Sequence, residues 1–187
     1  MVLEWFWPEN CFTLPRGNAT HKRLKVLQPK KQKTYTVKEA LLKAAAYCAY
    51  QERTQQEVRD KLYTYGLEPE EIEDLIVRLC AEKMIDEERY AASYVRGKYG
   101  IKKWGRRKIM QGLKGKRISD YCIKKGMKEI DPEIYWENLL HLLEKKLRTE
   151  KEKNPFARKQ KINLFLQSKG YETDLIQDAL KELEGEK

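Results

Sequence analysis

The stretch Thr54–Lys83, TQQEVRDKLYTYGLEPEEIEDLIVRLCAEK, sets the fold class, because its apolar positions keep helical spacing and their pattern returns twice along the chain. Val58 and Leu62 are four apart, as on one helical face; Gly66 interrupts, and Ile72 and Leu79 lie on a second helix that Pro69 opens. The five anchors Val58, Leu62, Leu67, Ile72 and Leu79 recur as Ile109, Leu113, Ile118, Ile123 and Ile130, displaced by 51 at every position. They recur once more as Ile162, Leu166, Tyr171, Ile176 and Leu183, a further 53 along. A period of this length marks a repeat array, in which each unit buries an apolar face against its neighbours.

Helix-start signals divide the chain in the same way. Thr36 with Glu39 and Thr54 with Glu57 read as capping boxes, and Pro69, Pro132 and Pro155 can each take a first helical position after Glu68, Asp131 and Asn154. Gly66 and Gly170 can adopt the left-handed conformation that closes a helix, whereas Arg117 stands at the matching place in the second unit. The spacing predicts helices over 36–52, 54–65, 69–83, 86–99, 104–116, 119–130, 132–152, 155–169 and 173–184, three per unit, with no competing strand. The predicted fold is all-α: three tandem three-helix repeats, helix-turn-helix-like, elongated or curved. Repeat 1 spans 35–84, repeat 2 spans 85–130 and repeat 3 spans 131–187. Residues 1–34 hold Trp5, Trp7, Pro8, Pro15 and Pro29 without helical period and read as a flexible basic arm.

Composition narrows the function. Hydrophobic residues make up 41% of the 187 and charged residues 36%, with a mean hydropathy of −0.82, which suits narrow amphipathic helices around a thin core. No uncharged stretch approaches the roughly 20 apolar residues that cross a bilayer, and the N-terminus lacks the pattern of a signal peptide, so cytoplasmic residence is expected. Cys11, Cys48, Cys80 and Cys122 form no C-x-x-C, and His21 and His141 are remote from them, so neither a metal nor a cofactor is expected. Cys48, Cys80 and Cys122 read as small buried hydrophobes. Gly112 and Gly115 lie in a helical pattern without the Lys-Ser/Thr pair of a phosphate loop, and no H-E-x-x-H or G-x-S-x-G occurs. The acidic groups Glu70, Glu71, Glu73 and Asp74, like Asp86, Glu87 and Glu88, sit in first turns where they complement the helix dipole. No catalytic residue is assigned, and the chain reads as a non-enzyme.

The net charge of +10 is unevenly placed. Residues 85–130 carry 14 basic and 5 acidic side chains, against 7 and 10 in residues 35–84. From Arg96 to Arg117 ten basic residues occur with no acid: Arg96, Lys98, Lys102, Lys103, Arg106, Arg107, Lys108, Lys114, Lys116 and Arg117, interleaved with Tyr99 and Trp104. On a helical wheel Ile109 and Leu113 face inward, while Arg107, Gln111 and Lys114 form an outward stripe. An ordinary solvated face mixes signs, as Glu57, Asp60 and Lys61 do in repeat 1, whereas a run of like charges repels itself. These ten residues and Trp104 are therefore the candidate nucleic-acid or partner-binding set, although an aromatic beside a helix start reads first as packed rather than as a stacking platform.

The segment Met84–Arg96, MIDEERYAASYVR, resembles the most distinctive stretch of RecX regulators: an apolar residue, two acids, Glu/Lys-Arg, an aromatic, Ala, then a short helix ending in Val-Arg. Thr54-x-x-Glu57, Leu62-x-x-x-Gly66-Leu67, Gly105-x-x-x-Ile109 and Lys169-Gly170-Tyr171 are similar to further family motifs, so the resemblance covers about residues 38–185. It implies a cytoplasmic, monomeric modulator of the RecA recombinase. Such a protein binds the filament on single-stranded DNA, with double-stranded DNA also open, and mainly inhibits its ATPase, strand-exchange and coprotease activities in recombination, DNA repair and the SOS response. The family has no catalytic residues to carry over. Arg117 departs from the glycine of the family's Lys-Gly-Ile turn, and residues 1–34 lie outside the shared region. A stand-alone DNA-binding module or transcription factor that uses helix 104–116 for recognition is the alternative, and a helical scaffold for an acidic protein is a third.

Overall fold

A computed structural model describes residues 34–185, which form nine α-helices and, among the described residues, no strand. Repeat 1 contains α1 (Val37–Tyr50), α2 (Gln55–Tyr63) and α3 (Pro69–Ala81). Repeat 2 contains α4 (Glu87–Arg96), a π-helical turn (Gly97–Ile101), α5 (Arg106–Gly115) and α6 (Asp120–Met127). Repeat 3 contains α7 (Pro132–Thr149), α8 (Pro155–Lys169) and α9 (Thr173–Gly185). The arm reading of residues 1–34, with Trp5 and Trp7, concerns a segment almost wholly outside the described residues.

Local chemistry accounts for most helix ends. The Thr36 hydroxyl accepts from the Glu39 N–H while the Glu39 carboxylate accepts from the Thr36 N–H at 3.0 Å, and Thr54 and Glu57 repeat the arrangement. Each pair satisfies two backbone donors that a helix start would leave free. Prolines open α3, α7 and α8, and Asp131 and Asn154 cap the last two. Gly66 and Gly170 close their helices in the left-handed region, at φ 79° and 95°. Arg117 takes the same conformation, at φ 59°, so the second repeat keeps the turn with a side chain in it, at a cost of roughly 1 kcal/mol.

The helix expected over 86–99 ends instead at Arg96 and widens into the π turn. Gly97 and Gly100 weaken the regular helix there. The Tyr99 carbonyl accepts from the amide of Asn138 on α7 at 3.2 Å, which satisfies that buried side chain. The next helix starts at Arg106, not 104, because Lys103 at φ 52° turns the chain just before it.

Every repeated anchor is buried except Leu183, which is half-buried and packed on the core. The anchors divide into two cores. Val58, Leu62, Leu67, Ile72 and Leu79 pack with α1 residues Ala40, Ala44 and Cys48 inside repeat 1. Those of repeats 2 and 3 form one continuous cluster with Tyr135, Leu139 and Leu143 of α7. Repeat 1 is thus a unit with its own core, and repeats 2 and 3 share theirs.

The seam of the shared core is a backbone contact between Gly105 and Gly170. The Gly105 N–H donates to the Lys169 carbonyl at 2.9 Å and the Arg107 N–H to the Gly170 carbonyl at 3.1 Å, while the Arg106 N–H donates to the Tyr135 hydroxyl at 2.9 Å. The first turn of α5, which lacks a side-chain cap, is capped by the carbonyls that end α8. A Cβ on Gly105 would collide with the Gly170 carbonyl, and one on Gly170 with the Lys108 backbone; at Gly115, the last residue of α5, it would meet nothing within 4 Å. Gly105→Ala is expected to cost about 2 kcal/mol or more, whereas Gly115→Ala should be neutral or stabilise by up to about 1 kcal/mol. Urea denaturation of the two variants decides this, and equal midpoints would show that the seam tolerates a methyl group.

Candidate nucleic-acid and partner interface

The outward stripe of α5 lies where the wheel places it, with Ile109 and Leu113 fully buried and Arg107, Gln111 and Lys114 exposed. What fixes the helix is its first turn. Beneath it the Tyr135 and Tyr171 rings pack at 5.0 Å between centroids, the Tyr135 hydroxyl donates to Glu172 at 2.8 Å, and the Tyr171 hydroxyl donates to the Lys103 carbonyl at 3.2 Å. Burial pushes both phenols above the ordinary tyrosine range, so they remain hydrogen-bond donors.

The ten basic residues that are contiguous and acid-free in sequence divide in space. Arg106 and Lys108 face repeat 3. The Arg106 guanidinium lies 4.1 Å from the Tyr135 ring centroid and 3.6 Å from Glu172, and the Lys108 ammonium donates to the Ser168 carbonyl at 3.0 Å. Lys116 and Arg117 face repeat 1, pairing with Glu57 at 2.5 Å and with Gln56 at 3.0 Å. Hydrogen bonding to Glu57 raises the Lys116 ammonium above the ordinary lysine value and keeps it charged. Arg96 pairs with Glu129 at 2.7 Å within repeat 2. Four acids drawn from elsewhere in the chain, Glu57, Asp120, Glu129 and Glu172, therefore compensate part of a run that carries none itself.

The remaining positions are more open. Lys114 reaches Asp120 only at 3.9 Å, with the two side chains 59% and 78% exposed, a pair worth little in water. Among the described residues the side chains of Lys102, Lys103 and Arg107 have no ionic partner. The Lys98 ammonium stands 4.9 Å from the ring centroids of both Tyr94 and Trp104, and Lys108 stands 4.9 Å from Trp104 on its own account. Trp104 is half-buried against the shared core with two cations at its ring, an arrangement suited to packing rather than to an open stacking face.

Sequence reading passed over two features. Lys124, exposed on α6, joins Lys114 beside a groove of about 470 Å³ floored by Met110, Ile123 and Met127. It was counted in the charge of repeat 2 but lies beyond Asp120, outside the acid-free run. Glu57 has two roles: one carboxylate oxygen completes the cap of α2 and the other takes Lys116. The capping spacing shows only the first.

The geometry also bears on chemistry. Among the described residues no three His, Cys, Asp or Glu converge as metal ligands would. Burial raises the Cys48 and Cys80 thiols above their ordinary value, which leaves them poor nucleophiles. No helix among the described residues is long and apolar enough to cross a membrane. Recognition helices read base edges with their N-terminal residues. The first turn of α5 is covered by the end of α8, which leaves Arg107, Gln111 and Lys114 as its accessible face.

Family models agree with this architecture. The first three-helix domain of RecX matches residues 40–79, the second residues 86–127 and the third residues 133–180. The regulatory protein RecX of Bacillus mycoides (strain KBAB4) is 34% identical over 151 residues, and that of Bacillus cereus (strain B4264) 32%; each alignment takes in 81% of this chain and 56% of the relative. The chain thus spans little more than half the length of these curated relatives. Among solved structures, RecX from Lactobacillus salivarius superposes with a TM-score of 0.72 at 27% identity, covering 79% of this chain and 96% of that one. A second solved regulatory protein RecX gives 0.73 at 27% identity, covering 78% of this chain and 73% of that one. With its three domains in family order and the fold of solved RecX structures, the chain belongs to the RecX family of regulatory proteins.

Proposed function

We propose that this protein binds the filament that the RecA recombinase forms on single-stranded DNA, and restrains it. It acts as a cytoplasmic, non-enzymatic monomer in recombination, DNA repair and the SOS response, mainly lowering ATP hydrolysis, strand exchange and coprotease activity. Repeat 2 (85–130) supplies the principal basic contact, repeats 1 (35–84) and 3 (131–187) extend the bound surface, and the arm 1–34 is an accessory. Family membership supplies the regulatory role. The observation that carries the assignment of the contact surface is the exposed Arg107, Gln111 and Lys114 stripe on a helix anchored at its base.

A filament hydrolyses ATP by cycling between conformations. A ligand that binds one of them more tightly than the others holds the population there, and this is sufficient for inhibition without chemistry. Positive side chains on a rigid helix suit a phosphate backbone or an acidic protein surface, and they make binding fall with salt.

The test measures single-strand-dependent ATP hydrolysis by the cognate recombinase as the protein is added. Stoichiometric or smaller amounts should lower the rate. The double variant Arg107→Glu with Lys114→Glu should need roughly tenfold more protein for the same effect while melting within about 0.5 kcal/mol of the parent, since neither side chain is buried. Hydrolysis unchanged by the parent protein contradicts the regulatory reading, and full activity in the double variant contradicts the assignment of the α5 face.

A further inference from the structure

A cleft of about 290 Å³ opens between the end of α1 and the segment running from α4 into the π turn. It contains residues the basic cluster does not explain. Gln51 and Glu52 line it from the link after α1, Ser93 and Tyr94 from α4, Lys98 and Ile101 from the π turn, and Lys102 from just after it. Buried Tyr90, 6.1 Å from Tyr94 between centroids and nearly parallel to it, lines it as well. Ile101 is 79% exposed beside the two lysines. π turns are rare and frequently mark functional positions, and this one brings two cations and an exposed apolar side chain to one cleft.

These groups are of three kinds: aromatic surface, a polar edge of amide and carboxylate, and positive charge. An acidic peptide would meet the lysines but leave the surface of Tyr94 and Ile101 unmatched, and an apolar peptide would strip water from Gln51 and Glu52 without replacing it. A nucleotide suits all three. Its ring lies on aromatic and aliphatic surface, its exocyclic amino or carbonyl groups bond to the amide and carboxylate, and its phosphates meet the ammonium groups. Glu52 is no obstacle to the phosphates, because Arg89 holds its carboxylate at 2.5 Å. A base within a duplex cannot enter, since its faces are stacked.

We propose that this cleft takes one unstacked nucleobase of a bound single strand of DNA, with Lys98 and Lys102 on the adjoining phosphates. The inference rests on the reading that the protein engages single-stranded DNA, and adds that it senses a base rather than charge alone.

The experiment titrates the full chain against a fluorescently labelled oligodeoxynucleotide and against a strand of the same length whose sugars carry no bases, at one fixed salt concentration. The intact strand should bind at least about fivefold more tightly. Ser93→Leu, at an exposed position, should fill the cleft and reduce that ratio to under about twofold, leaving affinity for the abasic strand and the melting temperature unchanged. Gln51→Leu, which removes the amide from the other wall, should do the same. Equal binding of both strands by the parent protein overturns the base site but leaves phosphate-driven binding standing. Absence of binding to either strand removes the single-strand reading and this inference with it. A base preference that survives both variants places the base contact elsewhere, and if those variants also fail to restrain the recombinase, the cleft belongs to a protein partner; either result overturns the proposal.

Discussion

Where the backbones of Gly105 and Gly170 meet, two helix ends satisfy each other. A helix leaves four N–H groups free at its start and four carbonyls at its end, and the partial charges on them favour a head-to-tail approach. Here the Lys169 and Gly170 carbonyls take donors from the start of α5, and the Tyr135 hydroxyl takes a third. Only glycine permits the approach, because a Cβ on either residue would meet the opposite backbone. Everything that α5 presents to solvent is oriented by this contact.

Repeat 1 is attached by different physics. Apart from Ile85, which follows α3 into it, its core is its own, and the side-chain bonds described across its boundary with repeat 2 are polar: Arg89 with Glu52, Lys116 with Glu57 and Arg117 with Gln56. Salt screens such contacts, and a phosphate competes for the same cations, whereas the apolar core that repeats 2 and 3 share is weakened by neither. The basic run consequently divides. Arg106, Lys108, Lys116 and Arg117 bond to neighbouring repeats, while Lys102, Arg107 and Lys114 stay exposed.

Local rules made the helices legible. The fifteen anchors, the two capping boxes, the three opening prolines and the left-handed glycines all depend on residues within one or two turns of each other, and each lies where spacing put it. The outward stripe of α5 was legible for the same reason. The Gly105–Gly170 seam was not, since its partners are 65 residues apart and neither announces the other. The acid-free character of 96–117 was a statement about neighbours in sequence, and Glu57, Glu129 and Glu172 reach that run only through the fold. Arg117 shows the limit of a residue preference: the turn that favours glycine forms with arginine, because the surrounding packing outweighs a strain of roughly 1 kcal/mol.

The central claim is that repeats 2 and 3 are one cooperative body, carrying the basic face, to which repeat 1 is joined as a second. Native-state hydrogen exchange on Leu166→Ala tests it most directly. Leu166 lies fully buried in the shared core, so its truncation should cost about 2–5 kcal/mol. Amides of α4, α5 and α6 should then lose protection together with those of α7, α8 and α9, while α2 and α3 keep theirs. Loss confined to α7, α8 and α9, with α5 as protected as before, would contradict the account.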